Sequence, residues 1–173
     1  MLPTSHQLVN LAIGVAEEGL AAGELPIGAV VAMGGEIIGR AYTQERTLGR
    51  RLVHADLLAM IDADQRLGRR KRTDPLILAV TLEPCLMCLG AAMTLGVTQI
   101  WNGLESPSDG AADAAAQWQP QRPGEEFARV PDVDGGILRQ QCREQFKRYA
   151  EVAKSPGMRR WASELASPPD QHG

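Results

Sequence analysis

The chain has 173 residues, of which 44% are hydrophobic and 23% are charged, as in an ordinary soluble globular domain. A formal net charge of −3 gives no overall attraction to nucleic acid, so contact with RNA would need a local basic patch. No apolar run approaches the roughly 20 residues that span a bilayer, and no secretory signal is evident. Three cysteines, an odd number, disfavour a disulfide framework. We therefore expect a cytoplasmic protein with no membrane partner.

The N-terminal third predicts a helix followed by a β-hairpin. Apolar residues recur at helical spacing over residues 5–22, with a hydroxyl residue at position 4 or 5 as the cap and Gly23 as the stop. Residues 27–33 and 36–42 are apolar runs that flank a Gly-Gly turn, which is typical of two antiparallel strands.

The middle of the chain predicts a loop, a helix and a buried strand. Residues 43–53 are polar and rich in arginine, which indicates a loop. Residues 54–67 are helical in pattern, and residues 76–82 form a short apolar run typical of a strand that is buried on both faces. The apolar residues expected to face inward from this helix are Leu57, Leu58 and Ile61.

The C-terminal half continues the alternation of helices and strands. Residues 84–95 predict a helix that starts at Pro84 and ends at Gly96. Residues 105–123 lack periodicity and indicate a long loop. The other predicted elements are strands over 97–103 and 128–133, a helix over 137–154 and a short helix after 155–157. Together the elements predict a single α/β layered domain over residues 1–166 and a disordered tail over 167–173.

Three side chains suit a zinc ion: His54, Cys85 and Cys88. The cysteines are three residues apart at a predicted helix start, where free amide groups and the helix dipole favour thiolates. His54 begins another helix and could approach the same point. Three protein ligands leave the fourth tetrahedral position open, which is typical of catalytic zinc. Asp56 adds a carboxylate that could move protons beside that open position.

Other interpretations of these residues stay open on the sequence alone. The cysteine pair is also compatible with a redox pair at a helix start. Cys142 could complete a structural site with four ligands, although such sites usually repeat the close cysteine spacing, and a buried thiol is the more ordinary role for it. Cys85 and Cys88 could also be inert core thiols, and His54 a structural histidine.

The chain resembles the cytidine deaminase superfamily, and within it most closely the bacterial tRNA adenosine deaminase branch. The similarity extends over roughly residues 5 to 155, and its matching segments are residues 24–30, 54–56 and 81–88. The resemblance implies a three-layer α/β/α fold on a five-stranded mixed sheet, usually assembled as a homodimer. It implies that zinc activates a water molecule, which attacks a ring carbon bearing an exocyclic amine, while a glutamate carries the protons.

The resemblance also assigns roles to residues of this chain. His54, Cys85 and Cys88 match the zinc ligands, and Asp56 stands where the family has its catalytic glutamate. The residues that it implies for substrate binding are Ile27, Thr43, Ala55, Glu83 and Asp109, with backbone groups near Ala55 and Glu83 holding the polar edge of the substrate.

The sequence departs from the tRNA branch where substrate should touch. Asp56 is one methylene shorter than glutamate, and a displacement of about an ångström can cost about 100-fold in rate. Thr43 stands where the branch has asparagine and lacks its amide. The loop over residues 106–113 is acidic where the branch is basic, which would repel RNA phosphates. Trp118, Pro120 and Pro123 suggest a remodelled pocket wall.

Two basic clusters have different interpretations. Arg66, Arg69, Arg70, Lys71 and Arg72 follow a predicted helix end, where solvated cations complement the dipole, although a phosphate-binding patch is the alternative. Arg46, Arg50 and Arg51 lie nearer the predicted site in sequence and are better candidates for holding an anionic substrate.

Asp56 admits three accounts: a native variation with a compensating backbone shift, an engineered change, or a protein that has lost catalysis and kept its zinc. We favour a working enzyme, a zinc-dependent hydrolase that releases ammonia from a nucleobase, nucleoside or related small heterocycle. The alternatives are adenosine deamination in a tRNA anticodon loop and a catalytically silent zinc-binding partner in a dimer.

Overall fold

The computed structural model describes residues 2–69, 72–119, 121–122 and 129–167. The helices are α1 (Ser5–Ala21), α2 (Glu45–Leu48), α3 (Ala55–Leu67), α4 (Leu86–Leu95), α5 (Ala112–Gln117), α6 (Arg139–Val152) and α7 (Pro156–Ala166). The strands are β1 (Gly28–Met33), β2 (Glu36–Tyr42), β3 (Leu76–Leu82), β4 (Gln99–Leu104) and β5 (Asp132–Asp134). Within these ranges, no helix is both long and apolar enough to cross a membrane.

The strands form one mixed sheet in the order β2-β1-β3-β4-β5. Strand β1 is antiparallel to both β2 and β3, whereas β4 runs parallel to β3 and β5 runs parallel to β4. Strand β3 lies at the centre, and all seven of its residues are buried, as the continuous apolar run predicts. This arrangement confirms the predicted five-stranded mixed sheet.

Helices cover both faces of the sheet, which confirms the three-layer α/β/α fold. Alternate residues of β1 point to opposite faces: Ala29 and Val31 join the core beneath α3 and α4, whereas Val30 and Ala32 join the core beneath α1. Helices α6 and α7 pack around Phe146 in a third cluster at one end of the sheet. The sheet therefore positions α3 and α4 side by side on one face.

Helix α1 begins and ends where the sequence predicts. The Thr4 hydroxyl accepts from the backbone N of Gln7, and the Gln7 side chain accepts from the backbone N of Thr4, which completes a capping box. Gly23 follows the helix with a φ of +84°, a left-handed conformation that favours glycine.

The inward face predicted for α3 is wrong for Leu58 and Ile61, whereas Leu57 packs against the core. The residues of α3 that are buried are Ala55, Asp56, Ala59, Met60, Ala63 and Leu67. Leu57 and Leu58 are only partly buried, and Ile61 is 47% exposed. Small residues face inward because α3 lies very close to β2: a Cβ atom at Gly39 would lie 2.1 Å from the carbonyl oxygen of Ala59.

Several predicted boundaries also need correction. The segment over 43–53 contains the short helix α2, and the long loop over 105–123 contains α5. Helix α4 begins at Leu86 rather than Pro84, because Cys85 has an extended backbone and serves as the N-cap. Helix α6 begins at Arg139, after Leu138 in a left-handed conformation with a φ of 55°. Residues 168–173 of the expected tail, and position 128 of the expected edge strand, lie outside the described residues.

Candidate metal and substrate site

The three ligand candidates meet at the N-termini of α3 and α4. His54 is the N-cap of α3, Cys85 is the N-cap of α4, and Cys88 lies in the first turn of α4. The Nδ1 atom of His54 is 3.7 Å from the Sγ atom of each cysteine. The three ligand atoms all lie within 4.8 Å of one another. Among the described residues, these three side chains form the one group that could hold a metal ion.

These separations fit one tetrahedral zinc ion. Zinc–nitrogen bonds of about 2.05 Å and zinc–sulfur bonds of about 2.3 Å, at a tetrahedral angle, place nitrogen and sulfur about 3.6 Å apart. The observed 3.7 Å agrees with that value for both sulfurs. Two thiolates and one imidazole are ligands that zinc prefers, and a fourth position stays free for the reacting molecule.

The ligand side chains are already electrostatically coupled. Hydrogen bonds from Cys88 and then from His54 hold the pKa of the Cys85 thiol at about 3. The hydrogen bond with Cys85 is the main reason that the pKa of His54 is raised, to about 9, and burial opposes it. The pKa of Cys88 is raised, first by its hydrogen bond to Cys85 and then by burial. Zinc binds thiolates and neutral imidazole, so loading releases the protons that Cys88 and His54 hold.

Asp56 lies beside the ligands and is buried, with 4% of its surface exposed. Its Oδ1 atom accepts from the Sγ atom of Cys88 at 3.0 Å and from the backbone N of Leu57 at 3.1 Å. Burial raises the pKa of the Asp56 carboxyl, while the hydrogen bond from Cys88 and the charge of His54 act in the opposite direction. The shorter side chain therefore still reaches the ligand group, and its environment favours a carboxyl that can hold a proton.

The outer nitrogen of His54 faces a second carboxylate, which the sequence analysis missed. His54 Nε2 lies 3.7 Å from Oε1 of Glu45, and Oε2 of Glu45 accepts from the Thr43 hydroxyl at 3.1 Å. A carboxylate on the outer nitrogen fixes the tautomer and the ring orientation of a metal-binding histidine. In the sequence, Glu45 stands nine residues before His54, and no helical or strand spacing predicts that the two side chains meet.

A cavity of about 380 Å³ opens beside the ligand group. The proposed substrate residues Ile27, Thr43, Ala55, Glu83 and Asp109 all line it, together with His54, Asp56 and Cys85. Cys88 is fully buried behind this wall. The structure thus brings together the predicted zinc ligands, Asp56 and the five predicted substrate residues, and their individual roles stay predictions.

Five further lining residues were not anticipated: Leu25, Glu45, Leu82, Met158 and Trp161. Met158 and Trp161 come from α7, so the last helix closes one side of the cavity. Trp161 packs edge-to-face against Phe146, with ring centroids 5.5 Å apart, and it lines the cavity as well.

Two predicted substrate residues also hold the loop after β4 in place. The two carboxylate oxygens of Glu83 accept from the backbone N atoms of Ser106 and Ala112, at 2.9 and 2.8 Å. Oδ1 of Asp109 accepts from the Ser106 hydroxyl at 2.6 Å. A Cβ atom at Gly110 would lie 2.4 Å from the Glu83 carboxyl carbon, so a larger residue there would displace this carboxylate from its two hydrogen bonds. The acidic loop is therefore an ordered wall of the cavity.

Other candidates lie away from this cavity. Cys142 is buried against Phe146 in the core of α6 and α7, as expected for a small apolar residue, and burial raises the pKa of its thiol to about 12. Trp118 is 43% exposed and does not line the cavity, so the expectation that it remodels the pocket wall is wrong. Arg66 pairs with Asp62 on the same helix. Positions 70, 71, 120 and 123 lie outside the described residues.

The fold and the site together define a class. A three-layer domain that presents imidazole, paired thiols and a buried carboxylate at two adjacent helix starts is a zinc-dependent deaminase. The chain belongs to the family described as the cytidine and deoxycytidylate deaminase zinc-binding region, whose family model matches residues 3–104. It is therefore a hydrolase of carbon–nitrogen bonds, and zinc is its metal.

One curated relative is itself named a deaminase, and another, with a different name, matches over a small part of its length. The chain is 36% identical over 120 residues to a tRNA-specific adenosine deaminase of Bacillus subtilis, and the match covers 69% of this chain and 72% of that protein. It is 39% identical over 130 residues to a tRNA(Ile)-lysidine synthase of Deinococcus deserti, covering 75% of this chain but only 24% of that protein.

Solved structures show the same fold. A structure from a study of A-to-I editing by tRNA:A34 deaminases superposes with a TM-score of 0.68 and 29% identity, covering 80% of this chain and 97% of the other. A guanine deaminase from Nitrosomonas europaea superposes with a TM-score of 0.68, but at 21% identity it supports the fold alone. That match covers 86% of each chain.

Proposed function

We propose that the chain hydrolyses the exocyclic amine of a nucleobase, nucleoside or related small heterocycle and releases ammonia. The acidic lining and the size of the cavity support this proposal. Four of its lining residues are carboxylic acids, Glu45, Asp56, Glu83 and Asp109, and no lysine or arginine lines it in the described part of the chain. A volume of about 380 Å³ lies within the usual range for small-ligand pockets.

The closing of the cavity by α7 adds to this argument. Met158, Trp161 and Ile27 add apolar side chains to the lining, and Trp161 offers an aromatic ring on which a flat heterocycle can pack. Backbone groups near Ala55 and Glu83 would then meet its polar edge. An RNA strand would bring several phosphates toward the acidic loop around Asp109, and like charges repel.

The proposed chemistry assigns proton transfer to Asp56. Bound zinc lowers the pKa of a water molecule and so supplies a nucleophile at neutral pH. Asp56 takes a proton from the attacking water and gives it to the ring nitrogen as the new carbon–oxygen bond forms. A second proton passes through the same carboxyl to the amine, the carbon–nitrogen bond breaks, and ammonia leaves.

Deamination of adenosine in a tRNA anticodon loop is the second candidate. It is favoured by the 36% identity to a tRNA-specific adenosine deaminase and by the superposition on tRNA:A34 deaminases. The cavity could accept an adenine that has been flipped out of its loop. The two candidate functions therefore share the metal chemistry. They differ in whether the substrate is a small molecule or extends outside the cavity as an RNA loop.

Ammonia release, measured on a panel of bases, nucleosides and anticodon stem-loops, separates the candidates. We expect turnover of at least one small heterocycle and none of the stem-loops, with zinc present at one equivalent per chain. Selective turnover of a stem-loop would refute the small-substrate proposal. Zinc without ammonia from any substrate would instead indicate a silent zinc-binding partner.

Substitution of Asp56 tests its role within the same assay. Asp56→Asn keeps the size of the side chain and removes the carboxyl, so we expect turnover to fall by at least about 100-fold. Asp56→Glu restores the family residue and should preserve or raise turnover. Asp62→Asn, on the outer surface of α3, is the control and should leave turnover unchanged. The homodimer and the cytoplasmic location stay predictions, and light scattering measures the first.

A further inference from the structure

We propose that a second groove, next to the cavity, binds an anionic group of the substrate, a phosphate or a carboxylate attached to the heterocycle. The inference rests on the proposed function and narrows its substrate class to anionic heterocycles. The groove has a volume of about 270 Å³. Its lining includes three arginines, Arg46, Arg50 and Arg51.

The groove adjoins the catalytic cavity. Leu25, Glu45 and Met158 line both spaces. A ligand whose ring occupies the cavity would therefore pass these three residues to place a substituent in the groove. The arginines lie in the α2 segment, between Thr43 and His54, so the same stretch of chain lines both spaces.

The three arginines differ in whether their guanidinium groups are already bound to other side chains. The Arg46 guanidinium is held in place, because it donates to the Tyr149 hydroxyl and lies 5.9 Å from the centre of the Tyr149 ring. Arg50 and Arg51 are exposed, and their guanidinium groups have no hydrogen-bond or ion-pair partner within the described ranges. Two unpaired cations beside one fixed cation make a site that suits a planar or tetrahedral oxyanion.

The carboxylates near the groove are already bound to other groups. Glu45, the acid that lines it, accepts from the Thr43 hydroxyl and faces the imidazole of His54. Glu24, which is fully buried, accepts from the backbone N atoms of Arg46 and Thr47. Neither carboxylate forms an ion pair with a guanidinium group of the groove, so the arginines keep their charge for a ligand.

The two spaces therefore suit different parts of one substrate. The cavity, with its carboxylates, suits a neutral, hydrogen-bonding ring, whereas the groove suits a negative substituent. One groove with three cations matches one anionic group. A nucleic acid strand needs cations along several successive phosphates to bind at physiological salt, and the described lining offers such a cluster at this one place.

Matched substrate pairs test the inference. Ammonia release is measured on cytidine, adenosine and guanosine, on their 5′-monophosphates, and on an aminopyrimidine with and without a carboxylate substituent. We expect kcat/KM to be about fivefold higher for an anionic member of a pair, which is the upper end of the contribution from one exposed charge pair. The phosphate and carboxylate arms distinguish the two anions, and an anticodon stem-loop provides the RNA arm.

The double variant Arg50→Gln/Arg51→Gln should lose this preference, because kcat/KM for the anionic member should fall to about that of the neutral member. Arg129→Gln is the matched control, because Arg129 is exposed and lies outside both linings. Inorganic phosphate should inhibit the wild type competitively and the double variant at least about fivefold less. Equal kcat/KM within every pair, or equal behaviour of double variant and control, would overturn the inference.

The readouts separate this inference from the proposed function. Binding of inorganic phosphate, measured by calorimetry on the zinc-loaded protein, does not depend on turnover. If no substrate releases ammonia but the double variant still weakens phosphate binding, the proposed function fails and the anion groove stands. If neutral heterocycles turn over and phosphate binding is the same in both proteins, the groove fails and the deaminase proposal stands.

Discussion

The carboxylate of Glu24 should contribute a large fraction of the free energy of unfolding of the chain, because it holds the start of α2 in the cavity wall. Its carboxylate is fully buried and accepts three hydrogen bonds from the start of α2: from the Arg46 backbone N at 3.1 Å, and from the Thr47 backbone N and hydroxyl, each at 2.7 Å. Glu24→Ala removes the acceptor and leaves three donors without a partner, which permits an estimate of the cost.

Hydrogen bonds to a charged group contribute about 1.5 to 3 kcal/mol each, but water entering the space left by the side chain recovers part of this. We therefore expect Glu24→Ala to lower the free energy of unfolding by about 3 kcal/mol. For a chain of this size, a loss of that order corresponds to a fall in Tm of about 6 to 12 °C. Glu24→Gln keeps one acceptor oxygen, so its free energy of unfolding should lie between those of the wild type and Glu24→Ala.

Thermal and urea unfolding measure this loss directly. Glu18→Ala is the matched control, because Glu18 forms an exposed pair with Arg40 that contributes at most about 1 kcal/mol. Should Glu24→Ala melt within a degree or two of Glu18→Ala, the three hydrogen bonds would not be holding α2, and the reasoning would be wrong. Since α2 also carries Glu45, we further expect weaker zinc binding in Glu24→Ala.

Three other predictions each concern a single contact in the structure. Glu45→Gln should weaken zinc binding by about 10- to 100-fold, measured by competition with a chelator, because the imidazole loses its charged partner. Gly39→Ala forces Cβ to within 2.1 Å of a carbonyl oxygen and should cost about 2 kcal/mol or more in unfolding assays, whereas Gly14→Ala, with nothing within 4 Å, should stabilise α1. A hydrogen bond from Arg148 lowers the pKa of Glu17. Arg148→Gln should therefore lower the free energy of unfolding by its full amount above about pH 4.5, the ordinary pKa of a glutamate. The difference from the wild type should disappear in urea unfolding at lower pH, where Glu17 is protonated.

The metal ligands were predictable because their chemistry is local in sequence. Cys85 and Cys88 are separated by one helical turn at a helix start, and His54 opens the preceding helix, so the distances that matter follow from two short motifs. The alternation of apolar runs likewise predicted the sheet and its central strand. Both inferences need no knowledge of how distant parts of the chain meet.

The rest of the site depends on contacts between distant segments. Met158 and Trp161 reach the cavity from α7, more than 100 residues after His54, and no pattern around them indicates a binding role. The partnership of Glu45 with His54 depends on how α2 folds back toward α3. The inward face of α3 was misjudged because large apolar side chains were expected inside, whereas the close approach of Gly39 admits only small residues there.

The family model ends at residue 104, but the cavity is completed at Trp161. The reactive half of the pocket thus belongs to the shared part of the chain, and its opposite side is built by a terminal helix beyond the match. Since α7 carries none of the predicted zinc ligands, we expect changes in Met158 or Trp161 to alter which molecules enter the cavity while the ligand group stays in place.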